Sequence, residues 1–399
     1  MSTSSSARVL LAITGGVAAF KGVLLLRMLQ RRGYDVRVLA TQSALAFVGE
    51  ATWHALSRRP VVTDLWDLSG TTAGEIHVEL TRDADAMIIY PATTRVVGSL
   101  AAGITDDVVT LTASCMTGPV VVCPAMHSAM ANWPLHTEAK ARLRDAGMHV
   151  LEPVDGVLAS GEVGFGRLPE PEAALEALEA ALAPQDLAGR SVLVTAGPTR
   201  EHVDPVRFLS NPSTGRMGFA VARIAARRGA SVTLVAGPTT LATPPGVRRV
   251  DVVTAEQMAG AVHAHADVDV IVMTAAVADY RPADVAPEKL KKSDGGPPAI
   301  VLERTEDILA SLGAEGRRDR VLVGFAMETE DLVANARSKL ERKGLQLVVA
   351  NDLRTPGAGF GTTTNVVTLV DAEQAIQLPT LSKEDVAGRI FDRVADLLR

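Results

Sequence analysis

The sequence predicts an α/β protein made of two doubly wound, mostly parallel-sheet domains. Two observations carry that prediction. Short apolar runs alternate with helical patterns along the chain, as strands covered on both faces require. The same strand–turn–helix–strand joint also occurs twice, ending Arg-Arg-Gly-x-x-Val at residues 31–36 and again at 227–232. A length of 399 residues suits two or three domains at roughly 150 residues each.

Taken in order, residues 8–13 (Arg8 to Ile13) read as a buried strand running into Thr14-Gly15-Gly16. An amphipathic helix follows to Arg32, with Gly33 as its cap, and residues 35–40 form the next strand. Residues 170–183 are an Ala/Glu/Leu helix and 184–189 a connector, so domains are expected at 1–184 and 185–399. The second begins with the strand 191–195, turns at Ala196-Gly197-Pro198, enters a helix over 217–228 capped by Gly229, and continues as the strand 231–236. Ligands of such sheets lie beyond the carboxyl ends of the strands. The loops after Ile13, Ala40, Tyr90, Cys123, Thr195, Ala236, Thr274, Gly324 and Ala350 are therefore the places to look for chemistry.

Composition narrows the function. The chain is 47% hydrophobic and 22% charged, which excludes general disorder. Lys and Arg number 40 against 46 Asp and Glu, a net charge of -6, so nucleic acid is not held by bulk positive charge. Two cysteines, Cys115 and Cys123, build neither a disulfide framework nor a four-thiolate zinc site; a reduced, cytoplasmic chain is expected. Residues 1–7 are Ser-rich with no charged leader, and no apolar stretch approaches the roughly 20 residues of a membrane helix. No membrane partner is expected.

In the first half, Thr14-Gly15-Gly16-Val17-Ala18-Ala19-Phe20-Lys21 joins strand to helix. Glycines let backbone amides approach an anion, and the helix start carries about half a positive charge, so a phosphate or an ordinary tight turn both fit. Val17 occupies the second fixed glycine position of G-x-G-x-x-G, so the dinucleotide fingerprint fails. Thr41 and Ser43 offer hydroxyls after the second strand. Pro91-Ala92-Thr93-Thr94 and Pro124-Ala125-Met126-His127 supply small residues where a flat ring can lie, and His77 sits in a segment running from Glu75 to Leu80.

In order and spacing, Gly15 to Lys21, His77-Val-x-Leu80, Pro91-Ala92-Thr93, Ala101-Ala102-Gly103 with Asp107, and Pro124-Ala125-Met126 resemble the flavin-dependent cysteine decarboxylases. The resemblance implies a flavodoxin-like domain binding FMN between subunits of a trimer. Gly15, Gly16 and Thr41 would hold the phosphate, Thr93 and Thr94 would line the flavin, and His77 would be the active-site base. A flavin suits such chemistry, because oxidising the thiol beside the departing carboxylate creates an electron sink that the cofactor later refills. The chain departs from the family pattern in places: His127 stands where Asn is usual for the substrate carboxylate, Met130-Ala131 replaces Met-Trp, Arg95 replaces Asn or Asp, and the clamp 158–168 has no cysteine. His127 can still pair with a carboxylate, and Ser160 and Glu162 are candidates for handling a proton.

In the second half, a long polar loop carries Arg200, Asp204, Arg207, Asn211 and Ser213-Thr214-Gly215-Arg216-Met217-Gly218. Ala275-Ala276-Val277-Ala278-Asp279-Tyr280 follows an apolar strand, then Lys289-Leu290-Lys291-Lys292 gathers cations in an acidic protein. Lysines neutralise charge on a leaving pyrophosphate, and an aspartate orients Mg2+ or a nucleotide hydroxyl; a lysine run standing alone is a solvated surface. Lys339 and Lys343 lie four apart on one helix face. The segment from Gly189 to Arg399 resembles the phosphopantothenoylcysteine synthetases, CTP-dependent ligases with a Rossmann-like fold. The resemblance implies CTP contacts at Met273, Thr274, Ala275, Asp279, Lys289, Thr305, Glu306, Asp307, Ile308, Phe325, Lys339 and Lys343. Asp279 would meet the metal, and Asn211 would hold the acyl-cytidylate carbonyl. Arg216 replaces the more usual lysine, keeping charge but not shape, and the Arg207 region would serve substrate binding or a dimer interface.

Together the halves resemble the bifunctional coenzyme A biosynthesis enzymes of bacteria. The implied reactions run in reverse chain order: ligation of cysteine to 4'-phosphopantothenate with CTP, then decarboxylation to 4'-phosphopantetheine. The resemblance implies a homo-oligomer in which decarboxylase trimers joined by ligase dimers would give a dodecamer. The competing readings are an active ligase with an impaired or regulatory flavoprotein domain, a non-enzymatic regulator, and an NAD oxidoreductase.

Overall fold

In a computed structural model the chain divides into two compact units, Met1–Ala183 and Pro184–Arg399. The structure describes residues 6–65, 75–291, 299–328, 331–352, 362 and 364–399.

The first unit runs β1 (Arg8–Ile13), α1 (Ala19–Arg31), β2 (Asp35–Ala40), α2 (Gln42–Leu45), α3 (Glu50–Ser57), α4 (Ile76–Arg82), β3 (Ala86–Ala92), α5 (Thr94–Ala101), α6 (Val108–Ser114), β4 (Val120–Pro124), α7 (Ser128–Ala131), α8 (Pro134–Asp145), β5 (His149–Val150), the hairpin β6 (Val154–Val157) and β7 (Val163–Arg167), and α9 (Pro171–Leu182). The sheet order β2-β1-β3-β4-β5 is parallel throughout, the flavodoxin-like order whose direction reverses between β1 and β3. Alternate residues of β1 face opposite cores. Val9, Leu11 and Ile13 pack under α1 and α9, and Leu10 and Ala12 pack against the α4–α6 side. Burial on both faces is why the strand reads as one continuous apolar run.

The second unit follows with β8 (Ser191–Ala196), the small ladder β9 (Arg200–His202) and β10 (Phe208–Ser210), α10 (Arg216–Arg227), β11 (Ser231–Ala236), β12 (Val247–Asp251), α11 (Ala255–Ala264), β13 (Val270–Met273), the pair β14 (Tyr280–Pro282) and β15 (Leu302–Arg304), α12 (Ile308–Ala314), β16 (Val321–Glu328), α13 (Leu332–Arg342), β17 (Leu347–Asp352), β18 (Thr364–Asn365), β19 (Val367–Val370), β20 (Ala375–Gln377), β21 (Leu381–Ser382) and α14 (Lys383–Leu397). Its main sheet is β12-β11-β8-β13-β16-β17-β19-β20. The strands from β12 to β17 are parallel and β19 and β20 are antiparallel. The reversal of order falls between β8 and β13. No helix of the described residues is long and apolar enough to cross a membrane.

Candidate functional site

In the first unit the loops after β1, β2 and β3 converge at the switch point. Thr14, almost fully buried, donates its hydroxyl to the carbonyl of Pro91 at 2.7 Å and accepts the Thr93 N–H at 3.0 Å. A Cβ on Gly15 would collide with Ser43, and one on Gly16 would lie 3.6 Å from the Thr93 methyl. Glycine at position 15 lets the loops after β1 and β2 close this far. The start of α1 has no side-chain cap; the Ala19 and Lys21 N–H groups turn back to the Gly16 and Ala18 carbonyls at 2.9 and 3.0 Å, and the exposed Ser43 lies beside Gly15. These residues fit a flavin phosphate.

Two polar groups near the cradle have partners within the chain. Thr41 Oγ1 is the N-cap of α2, accepting the Ala44 N–H at 3.3 Å and lying 3.1 Å from Ser43 Oγ; Thr41 is buried and Ser43 exposed. Lys21 turns away from the cradle and binds both oxygens of Glu170 at 3.0 Å.

The loop after β4 lies under the β6–β7 hairpin. Met126 donates its N–H to the carbonyl of Gly166 at 2.9 Å, and a side chain on Gly166, which has φ of 138°, would strike the Met126 carbonyl. Thr94 Oγ1 reaches Met126 Sδ at 3.3 Å. His127 caps α7: its Nδ1 accepts the Ala129 N–H at 3.2 Å, so Nε2 carries the proton and donates to Glu162 at the hairpin tip at 2.8 Å. Arg95 pairs with Asp106 at 3.2 Å and with Asp107, the residue that caps α6. Cys123 is fully buried, and burial pushes its thiol well above the usual range. His77 stands at the start of α4, half-buried; no hydrogen bond among the described residues ties its ring to Gly16, Thr41 or Thr93.

In the second unit the loops after β8 and β13 are sewn together across the switch point. Ala275 N–H donates to Thr195 Oγ1 at 3.1 Å, Thr274 Oγ1 to the Thr195 carbonyl at 2.5 Å, Ala276 N–H to the Gly197 carbonyl at 2.9 Å, and Ala278 N–H to Thr199 Oγ1 at 3.0 Å. Thr305 joins the same rim, with its hydroxyl on the Ala278 carbonyl at 2.6 Å and its N–H on the Asp279 carbonyl at 3.0 Å. The Asp279 side chain is exposed. The described residues hold no group of three or more metal-ligating side chains; a single exposed carboxylate fits Mg2+, which takes one or two carboxylates and completes its shell with phosphate and water.

Lys289 is exposed, but its chain is anchored. The buried carboxylate of Asp204 accepts the Leu290 N–H at 3.2 Å, and Arg207, paired with Asp204 at 2.5 Å, donates to the Leu290 carbonyl at 2.9 Å. The Arg207 bond first, then backbone N–H donors, hold the Asp204 carboxyl far below its ordinary value. Lys292 lies outside the described residues. Beside β16, Lys339 Nζ donates to the Phe325 carbonyl at 2.7 Å, and Lys343 pairs with Asp307 at 2.7 Å while Asp307 also caps α12. Burial raises the Asp307 pKa, but Lys343 and the Ala310 N–H outweigh it, leaving the carboxyl below its usual range. Glu306 turns to His263 at 2.7 Å and Ser311 at 2.9 Å, and Ile308 and Met273 are buried in the core. Met273 and Ile308 can therefore meet a ligand only through backbone.

Residues 1–183 match the family described as Flavoprotein, and residues 187–398 match the DNA/pantothenate metabolism flavoprotein C-terminal domain. Over 395 residues the chain is 42% identical to the coenzyme A biosynthesis bifunctional protein of Bacillus subtilis, covering 98% of this chain and 97% of that one. It belongs to the coenzyme A biosynthesis bifunctional protein family. The Mycobacterium tuberculosis member is 44% identical over 410 residues, with 98% and 97% covered. A solved C-terminal domain of a coenzyme A biosynthesis bifunctional protein is 42% identical, spans 54% of this chain and 98% of its own, and superposes with a TM-score of 0.46.

In this family member the Asn211 amide nitrogen is engaged, donating to the carbonyls of Ala276 and Val277 at 3.2 Å each. Its free atom is the acceptor Oδ1, so holding an acyl carbonyl requires one of those bonds to open. The Asp204–Arg207–Leu290 tether was not legible as such: Asp204 and Arg207 stand out in the sequence, but their partner lies 83 residues beyond Arg207.

Proposed function

We propose that this chain, a bifunctional ligase and decarboxylase of coenzyme A biosynthesis, keeps its flavin-dependent decarboxylase in residues 1–184 and its ligase in residues 185–399. The ligase unit takes CTP with Mg2+, joins the 4'-phosphopantothenate carboxylate to CMP and passes the acyl group to the cysteine amine. The observation that supports this reading is the second switch-point rim, where the 274–279 loop is sewn to β8, together with the clasp of Asp204 and Arg207 on the residue after Lys289. A carboxylate is a poor acyl donor, so the work is positioning and charge stabilisation rather than acid–base chemistry. Lys289 neutralises the departing pyrophosphate, Asp279 meets Mg2+, and Lys339 and Lys343 face the nucleotide once Lys343 exchanges Asp307 for it.

In the flavin unit, the α1 start with Gly15, Gly16 and Ser43 holds FMN phosphate, and Thr93 and Thr94 border the ring. FMN, when bound, supplies the two-electron oxidation and its reversal. His77 manages a proton, and His127, oriented by Glu162, faces the substrate carboxylate. Exposed Met130, Trp133 and Leu135 beside a cavity of about 290 Å³ that Thr94 also lines support self-association around the flavin, and the reading places the homo-oligomer in the cytoplasm. The test is a coupled reaction with 4'-phosphopantothenate, cysteine, CTP and Mg2+, followed by mass. CMP, pyrophosphate, CO2 and 4'-phosphopantetheine are expected; untouched CTP removes the ligase assignment, and an intact carboxyl product removes the decarboxylase.

A further inference from the structure

Helix α8 carries a lysine where its packing calls for an apolar side chain. His136, Ala139, Lys140 and Leu143 are its buried residues, spaced as the stripe of a helix that faces a core. Lys140 is only 5% exposed, and the partners of its ammonium account for the position. Nζ lies 2.5 Å from Glu152 Oε2 and 5.9 Å from the centre of the Phe165 ring, within reach of a cation–π contact. Glu152 stands just before β6, where the chain enters the hairpin, and Phe165 stands on β7, where it returns. One buried cation therefore grips both legs of the hairpin at the base.

The surrounding contacts fix the same end. Leu151 N–H donates to the Val122 carbonyl at 3.0 Å, so the chain passes from its bond with β4 directly into Glu152, and Pro153 follows with a restricted φ. Arg144 bonds the Glu152 carboxylate and, at 3.2 Å, the Val150 carbonyl. Burial raises the Glu152 carboxyl, but the Lys140 and Arg144 bonds outweigh it and hold it below its usual range. On β7 the register with β6 shifts between Phe165 and Arg167, leaving Gly166 as the extra residue whose carbonyl takes the Met126 N–H. The far end is held differently. Val157 and Val163 are exposed, and among the described residues the tip 158–162 is bonded outside the hairpin only through the exposed Glu162–His127 pair.

We propose that Lys140 is a positioning residue of the decarboxylase, the post that fixes the base of the β6–β7 hairpin and so sets where its tip, Ser160 to Glu162, comes down beside His127. A buried charge pair at the base and an exposed pair at the tip let the tip open while the base stays in place. The link to decarboxylation rests on the flavin reading above; the anchoring of the hairpin does not.

The test uses the full chain and three variants. Lys140→Met keeps the aliphatic stem and removes the charge, Lys140→Arg is the conservative control, and Phe165→Leu removes the ring while leaving α8 unchanged. The readouts are cleavage between Leu158 and Val163 by a nonspecific protease, kcat and KM for CO2 release from 4'-phosphopantothenoylcysteine, and flavin absorbance. Lys140→Met should be cut several-fold faster and show a kcat about tenfold lower at a KM near that of the wild type, the mark of misplacement rather than weaker binding. Its flavin content and CTP-dependent pyrophosphate release should not change, Lys140→Arg should recover most of kcat, and Phe165→Leu should fall between. An unaltered kcat in Lys140→Met overturns the proposal whatever the cutting rate, as does a loss that Lys140→Arg shares in full. Should the Lys140 variants misfold and lose flavin, Phe165→Leu decides alone: faster cutting with lower kcat upholds the post, and a wild-type value of either overturns it. A wild-type chain that releases no CO2, with Lys140→Met still cut faster, sinks the decarboxylase reading and leaves the anchor standing.

Discussion

Arg207 donates from Nη2 to the carbonyl oxygen of Leu290 at 2.9 Å, across 83 residues of chain. The same guanidinium holds the buried Asp204, which takes the Leu290 N–H from the other side. One ion pair therefore clasps both backbone groups of the residue after Lys289. Arg207→Ala should lower ligase kcat on the order of 10²-fold by letting Lys289 drift about 1 Å, with flavin content unchanged. Normal turnover would show that Lys289 is positioned by something else.

The clasp has a defined pH behaviour. The folded-state pKa of Asp204 is depressed, so its stabilisation is present above the unfolded value and disappears only as pH falls through the much lower folded value. Amide exchange at Leu290 should stay slow through the ordinary carboxylate range, pH 5 to about 3, in the wild type and be fast throughout in Asp204→Asn.

Asp269 sits at the opposite end of the second sheet, where the Ser191 N–H at 2.8 Å, the Ser191 hydroxyl at 2.7 Å and Arg190 lower its pKa to about 2. Its contribution is full above the unfolded value and lost as pH falls from about 4 to 2. Asp269→Asn should cost about 1 kcal/mol at neutral pH, once solvent screening of a partly exposed group is allowed for. Acid denaturation curves of wild type and variant should converge near pH 2.

His77→Asn should retain flavin absorbance and lose CO2 release by about 10²–10⁴-fold if the imidazole handles a proton. Unchanged release would leave that step to the His127–Glu162 pair.

The hairpin tip is held by His127 to Glu162 and its base by the Met126–Gly166 backbone bond. An exposed pair of this kind contributes about 0.2–1 kcal/mol. Glu162→Gln should make cleavage between Leu158 and Val163 by a nonspecific protease a few-fold faster. Equal rates would place the whole hold at the base of the hairpin.

Both doubly wound sheets were legible because continuous apolar runs and glycine-ended helices follow from local sterics and burial, which act within a few residues. The strand limits at 8–13, 35–40 and 231–236 match, and the helix expected over 217–228 begins one residue earlier. The antiparallel β19 and β20 at the sheet edge carried no signal, because a short edge strand looks the same whichever way it runs.

The sequence by itself determined which residue types stand at the strand ends: the glycines of the first loop, the lysines and Asp279 of the second half, and the motifs that mark the family. Only the tertiary structure decided how those groups are spent. Thr41 caps a helix, Lys21 goes to Glu170, Lys343 goes to Asp307, and the amide nitrogen of Asn211 goes to two backbone carbonyls. The reason is that a polar side chain removed from water takes whichever partner the packed chain brings within about 3 Å, and nearness in space across scores of residues is not written in local order.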